Sequence, residues 1–204
     1  MELKGLSDFV IGMMDSKGKL ITGEEGLSET GLFKVDLSSS KGATQANITN
    51  LNPTVTKVYG SNSVAEQQVG VASPSVALAA NDIPHLIYDK LVGMQADATN
   101  GGMAVKFSKA SLAGVIAHST SLDGSVDAYM AFPLGVVTPG DLSLATDQEN
   151  PTVVHDALTL AAQARPSDKL LYQKFYSDDE KFDYEKMLAF IFDGYKVATP
   201  PAEG

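Results

Sequence analysis

Cysteine and tryptophan are absent from this 204-residue chain, and arginine occurs once, at Arg165. Without cysteine there is no disulfide framework, no thiolate zinc site and no thiol nucleophile. A lone arginine excludes the bidentate arginine clusters that hold phosphates and carboxylates. Basic residues as a whole are scarce: 15 Lys and Arg face 25 Asp and Glu, for a net charge of −10. A protein that grips nucleic acid needs a basic footprint to release counterions from phosphates, and this chain has the opposite sign. No apolar run approaches the roughly 20 residues of a membrane span, so no membrane anchor is expected. The opening MELKGLSDFVIGMMDSKGK lacks the unbroken apolar core of a signal peptide, and synthesis in the cytoplasm is the expectation.

Charged residues make up 20% of the chain, below the usual quarter. Ser, Thr, Asn, Ala and Gly fill the gap, which gives a polar, weakly charged surface suited to contact with copies of itself. Against this background a period of two dominates. Phe33, Val35 and Leu37 alternate with polar neighbours. Val126, Ala128, Met130, Phe132, Leu134 and Val136 fall on alternate positions, and so do Leu158, Leu160, Ala162 and Ala164. Such alternation marks half-buried strands of an antiparallel sheet or sandwich. Further strands are expected over Phe9–Met13, Gln45–Asn50, Thr54–Tyr59, Ser63–Ser73, Ser75–Ala80, Met103–Phe107, Gly114–His118 and Lys169–Phe175. Turn clusters such as Asp15-Ser16-Lys17-Gly18 and Asn100-Gly101-Gly102 divide them.

Two stretches switch to helical spacing. Over about 82–93, Ile83, Leu86, Ile87, Leu91 and Met94 share one face. Asn81 or Asp82 is expected to cap the helix, with Pro84 in its first turn and Gly93 closing it. Over about 183–193, Asp183 caps, Tyr184, Met187, Leu188 and Ile191 form the apolar face, and Gly194 ends the helix. The fold class expected is therefore α+β, mainly β: an antiparallel sandwich or open barrel with two short helices. Residues 1–194 read as one domain with a long loop near 38–52, and 195–204, with Pro200-Pro201, read as a C-terminal arm.

No chemistry stands out. His118, Ser119 and Asp156 supply the residue types of a hydrolytic triad, but no glycine-flanked nucleophile elbow accompanies them. Asp178, Asp179, Glu180, Asp183 and Glu185 form an acidic cluster whose spacing is not that of a calcium loop. Its position before a helix explains it by the helix dipole alone. Lys106-Phe107-Ser108-Lys109 is the one interleaving of aromatic and cation, and a stacking platform needs more. The expectation is no catalytic residue, no cofactor and no metal.

Between Thr56 and Asp97 the order is strand, polar tip, long strand, then a short helix ending on glycine. Thr56-Lys57-Val58-Tyr59-Gly60-Ser61-Asn62, Val64-Ala65-Glu66-Gln67-Gln68, Asp82-Ile83-Pro84 and Lys90-Leu91-Val92-Gly93 carry the likeness, helped by Gly5-Leu6-Ser7-Asp8-Phe9. This stretch resembles the major tail protein (tail tube protein) family of long-tailed bacteriophages with non-contractile tails. The resemblance implies a structural virion protein, not an enzyme, located in the virion tail. Its copies would form hexameric rings stacked as a hollow tube that conducts DNA during ejection without gripping it.

Implied partners are the chain itself, a tape measure protein, a tail terminator and distal tail proteins. The expected inter-subunit and inter-ring contacts are Ser39, Lys41, Asn50, Tyr59, Asn62, Val64 and Tyr195. Shortening Ser39–Ala43 is expected to leave folded subunits that cannot form tubes. A tube protein of a contractile tail or a secretion apparatus would share the fold. A receptor- or carbohydrate-binding β-sandwich would expose tryptophan or clustered tyrosine, whereas the seven tyrosines here are dispersed.

Overall fold

The computed structural model describes residues 1–105, 111–142 and 155–196. In chain order the elements are β1 (Leu3–Met14), β2 (Leu32–Val35), α1 (Leu37–Ser40), β3 (Ala43–Thr49), β4 (Val55–Gly60), β5 (Ser63–Val69) and β6 (Ser75–Ala80). Then come α2 (His85–Leu91), β7 (Gln95–Ala96), β8 (Met103–Ala104), β9 (Ser111–Ser121), β10 (Asp127–Pro139), β11 (Asp156–Ala162), β12 (Gln173–Tyr176) and α3 (Tyr184–Ile191). The fold is mainly antiparallel β, sandwich-like, and does not close into a barrel. One eight-stranded sheet runs β2-β1-β9-β10-β11-β6-β3, with β12 also pairing β10. β4 with β5, and β7 with β8, form separate two-stranded ribbons.

The three long strands β1, β9 and β10 are buried on both faces. Phe9 and Ile11, Val115 and Ala117, and Phe132 point into one core, shared with Val76, Leu78, Leu158, Leu160 and Leu91. Val10, Met14, Ile116, Tyr129 and Ala131 point into a second, which α3 covers with Met187, Leu188 and Ile191. Apolar residues at both parities permit this: a strand read as half-buried is instead a central layer.

The alternation expected over Val126–Val136 also breaks. Between Phe132 and Gly135 the register against β9 slips by one residue. This bulge reverses the parity of β10, so Leu134 joins the α3 core and Val137 the other.

Several expected boundaries move. The loop expected over 38–52 is in fact α1 followed by β3, which pairs with β6 along Ala43–Thr49. Its serine-rich composition concealed a capping box: the Asp36 carboxylate accepts from the Ser38 and Ser39 N–H groups, and Ser39 Oγ accepts from the Asp36 N–H. The structure thus has three α-helices among the described residues, not two. α2 is shorter than 82–93, and neither Asn81 nor Asp82 caps it. Pro84 stands at the N-cap in an extended conformation (ψ 126°) without a side-chain cap. Asp82 pairs with Lys41 at 2.6 Å, and Asp156 Oδ2 accepts from the Ile83 N–H at 2.7 Å.

The late start turns the buried face of α2 toward Ile87, Tyr88, Leu91 and Val92 and leaves Leu86 exposed. Gly93, at φ +78°, does close it. Over 183–193 the reading holds: the Asp183 side chain accepts from the Lys186 N–H, and Tyr184, Met187, Leu188 and Ile191 face inward. The expected strand over Met103–Phe107 is described only as β8, and the Lys106–Lys109 motif lies outside the described residues. So does 197–204, most of the expected C-terminal arm.

Candidate assembly surface

Among the described residues, the β4–β5 hairpin contributes nothing to either core. Every residue of both strands is exposed, so neither face of this ribbon packs on the body. Its tip turns at Ser61 and Asn62, both with positive φ (51° and 63°). A two-residue turn with that backbone matches the twist of the flanking strands. At its base the Gly70 N–H donates to Thr54 O at 2.8 Å.

The register pairs Val55 with Val69, Lys57 with Gln67 and Tyr59 with Val64, with a bulge beside Val58. One face therefore presents an apolar pair at the base, a Lys–Gln pair in the middle and an apolar pair at the tip. Tyr59 is 69% exposed and Val69 66%. A two-stranded ribbon in water is marginal on its own, and this one exposes apolar side chains at its base and its tip.

The expected contact residues distribute unevenly. Tyr59, Asn62 and Val64 share the hairpin, and Asn50, exposed at φ +56°, sits on the link leading into it. Lys41 is exposed but tied to Asp82. Ser39 is engaged inside the subunit, where Oγ donates to Lys34 O at 2.6 Å. Tyr195 is half-buried in the α3 core and its hydroxyl donates to Glu185 Oε2 at 3.2 Å. Burial and the Glu185 charge raise its pKa.

The segment Ser39–Ala43 also makes contacts inside the subunit. Ser40 is buried, Ser40 O accepts from the Asp82 N–H, and Gly42 O accepts from the Asn81 N–H. The segment clasps the β6–α2 turn, so shortening it also removes hydrogen bonds within the subunit. Sequence reading missed Val55, Val58 and Val69 as exposed residues, because valines in a strand are read as facing a core.

A second constellation was also missed. His118 lies between two carboxylates: its Nδ1 is 3.1 Å from Asp8 Oδ2. Its Nε2 is 3.2 Å from Asp127 Oδ1, within ion-pair range but off the line of a hydrogen bond. Lys34 reaches the same Asp8 oxygen at 3.2 Å. The imidazole stacks on Tyr129 at 4.6 Å between centroids, and Tyr129 in turn stacks on Phe182.

The Asp8 hydrogen bond raises the His118 pKa; burial opposes it and Asp127 adds to it. Burial would raise Asp8, but the His118 bond and the His118 and Lys34 charges outweigh it and hold it low. Burial, helped by the Asp127 charge, pushes Tyr129 up to about 12. No nucleophile joins this group. Ser119 Oγ donates to Gly5 O, and Asp156 serves Ile83 in another part of the fold, so His118, Ser119 and Asp156 form no triad. Among the described residues no three His, Asp or Glu side chains gather as a metal site. No helix there is long and apolar enough to cross a membrane.

The described residues thus form a mainly antiparallel β body that carries an exposed two-stranded hairpin. Residues 1–200 match a family model described as phage tail tube protein, and the chain belongs to that family. It is therefore a structural tail tube protein, not an enzyme. Comparison with curated proteins gave no match.

Proposed function

We propose that this protein is the major tail subunit of a long-tailed phage, assembling into hexameric rings that stack as the hollow tail tube. The observation that carries the reading is the β4–β5 hairpin, exposed on both faces with valines and a tyrosine that pack on no core among the described residues. Ring contacts are heterologous and close on themselves, whereas stacking is open-ended. A projecting hairpin suits the open-ended direction, so Asn50, Tyr59, Asn62 and Val64 belong to the contact between rings. Lys41 lies exposed at the α1 corner and is assigned to the contacts between subunits. Ser39 and Tyr195 act there through the backbone and core they support.

The DNA passes through without being gripped. A net charge of −10 and an arginine that is 4% exposed leave little to bind phosphate. A tape measure protein, a tail terminator and distal tail proteins are the further partners, and the subunit is made in the host cytoplasm before it joins the virion.

Negative-stain electron microscopy of the concentrated protein, with and without a tail-tip complex, tests this. Hollow tubes with six-fold rings are expected. Particles that remain single subunits in both conditions overturn it.

A further inference from the structure

The subunit also carries a groove of about 510 Å³ at the Leu3–Leu6 end of β1, where the larger core reaches solvent. Leu3, Leu6, Ile48, Met130 and Tyr176 supply its apolar wall and Lys174 is on its rim. It lies beside an unused strand edge. β2 pairs with β1 only from Phe9 to Gly12, so the side of Leu3–Asp8 that faces away from β9 has no strand partner among the described residues. An extended chain laid there would gain main-chain hydrogen bonds and bury its alternate side chains.

Resting on the tail tube reading, we infer that this groove is the receptor for the β4–β5 hairpin of a second copy. Both surfaces are incomplete in complementary ways. The hairpin has free outer edges on strands of six and seven residues, and the groove flank offers an unpaired edge of similar length. The apolar face of the hairpin brackets Lys57 between Val55 with Val69 and Tyr59 with Val64. Exposed Glu2 and half-exposed Asp127 stand beside the groove for Lys57. Charge also selects the occupant. Two copies at −10 each repel, yet residues 54–70 hold one lysine and one glutamate. The hairpin is thus a neutral probe that can approach an acidic neighbour.

The absence of cysteine makes the test clean. Tubes of a variant carrying Tyr59→Cys with Leu3→Cys are oxidised mildly and run on a non-reducing gel. Tyr59→Cys with Leu86→Cys, on the exposed face of α2, is the control. A ladder of covalent multimers from the first pair and monomer from the control are expected. In parallel, wild-type tubes are treated with a zero-length carbodiimide and digested, and links from Lys57 to Glu2 or Asp127 of another copy are expected.

Tubes that link Lys57 only to other segments, whether or not the cysteine variant assembles, overturn the groove assignment and leave the tube reading standing. Failure of the wild-type protein to form tubes in any condition removes the tube reading and this inference with it.

Discussion

Arg165 shows what a single arginine does when no phosphate is to be held. Its Nη1 donates to Phe190 O at 2.7 Å and Ile191 O at 3.2 Å, the carbonyls at the end of α3. Nε and Nη2 form a two-point pair with Asp168, and the guanidinium lies 5.3 Å from the Phe190 ring centroid. A cation at a helix C-terminus is favourable, and the planar fork satisfies two partners at once. The Arg165 hydrogen bond holds the Asp168 carboxyl down to about 2. Arg165→Ala strands two carbonyls and a carboxylate and is expected to cost about 2–3 kcal/mol in urea denaturation. Arg165→Lys keeps the charge but not the fork and should recover less than half of that.

His118 gives the second residue-scale prediction. Its pKa is raised in the fold, so the stability it supplies is complete below about 6.5. That stability is lost as pH climbs through the folded value. Asp8 and Asp127 are lowered, so theirs is present above about 3.9 and fades as pH falls. Lys34, Tyr129 and Tyr184, which also face the site, keep one charge state between these limits. Urea midpoints should therefore fall between pH 5.5 and pH 8.5 in the wild type. His118→Gln should flatten that decline; an unchanged slope would show that the titration lies elsewhere.

At the scale of elements, the crossing of β1 and β9 under α3 depends on two glycines in register, Gly12 and Gly114. A Cβ on Gly114 would stand 2.9 Å from Pro133 O and 3.1 Å from the fully buried Phe192 ring. The carbonyl belongs to the bulged stretch of β10 and cannot swing away. Gly114→Ala is expected to cost about 1–3 kcal/mol through overpacking, read as a lowered thermal midpoint with an unchanged circular dichroism spectrum. Neither glycine looks special in the sequence, and the reason is general: their constraint comes from strands distant along the chain.

Other elements were legible or not on the same ground. Ser75–Ala80 was readable to the residue because Val76, Leu78 and Ala80 are buried and their neighbours are not. β3 was half-readable: its strand pattern over Gln45–Asn50 stood inside a segment with loop composition, and pairing with β6 decided the matter. β10 was found but its parity was not, since the bulge reverses it without marking the sequence. The hairpin tip at Ser61-Asn62 was readable as a turn. That both strands stand clear of the body was not, because exposed and buried strands of this composition read alike and only tertiary structure shows that no core faces them.

At the scale of the molecule, the cores and the exposed hairpin are different parts of the chain. Both cores are built from β1, β2, β6, β9–β11, α2 and α3, and no hairpin residue joins either. The hairpin base is already closed by the Gly70 N–H bond to Thr54 O. The chain can therefore be rejoined there without moving its ends. Replacing residues 56–69 with a two-glycine link is expected to leave the thermal midpoint of the subunit within about 3 °C of wild type, since surface changes away from packed features cost little. The same variant should form no tubes under conditions where the wild type does, as read by negative-stain microscopy and light scattering. A drop in midpoint larger than that would mean the hairpin supports the subunit itself. Normal tubes from the rejoined chain would mean that the open-ended contact is made elsewhere. Loss of tubes at constant stability would separate assembly from folding: cores that hold the subunit, and an exposed ribbon completed only by another copy.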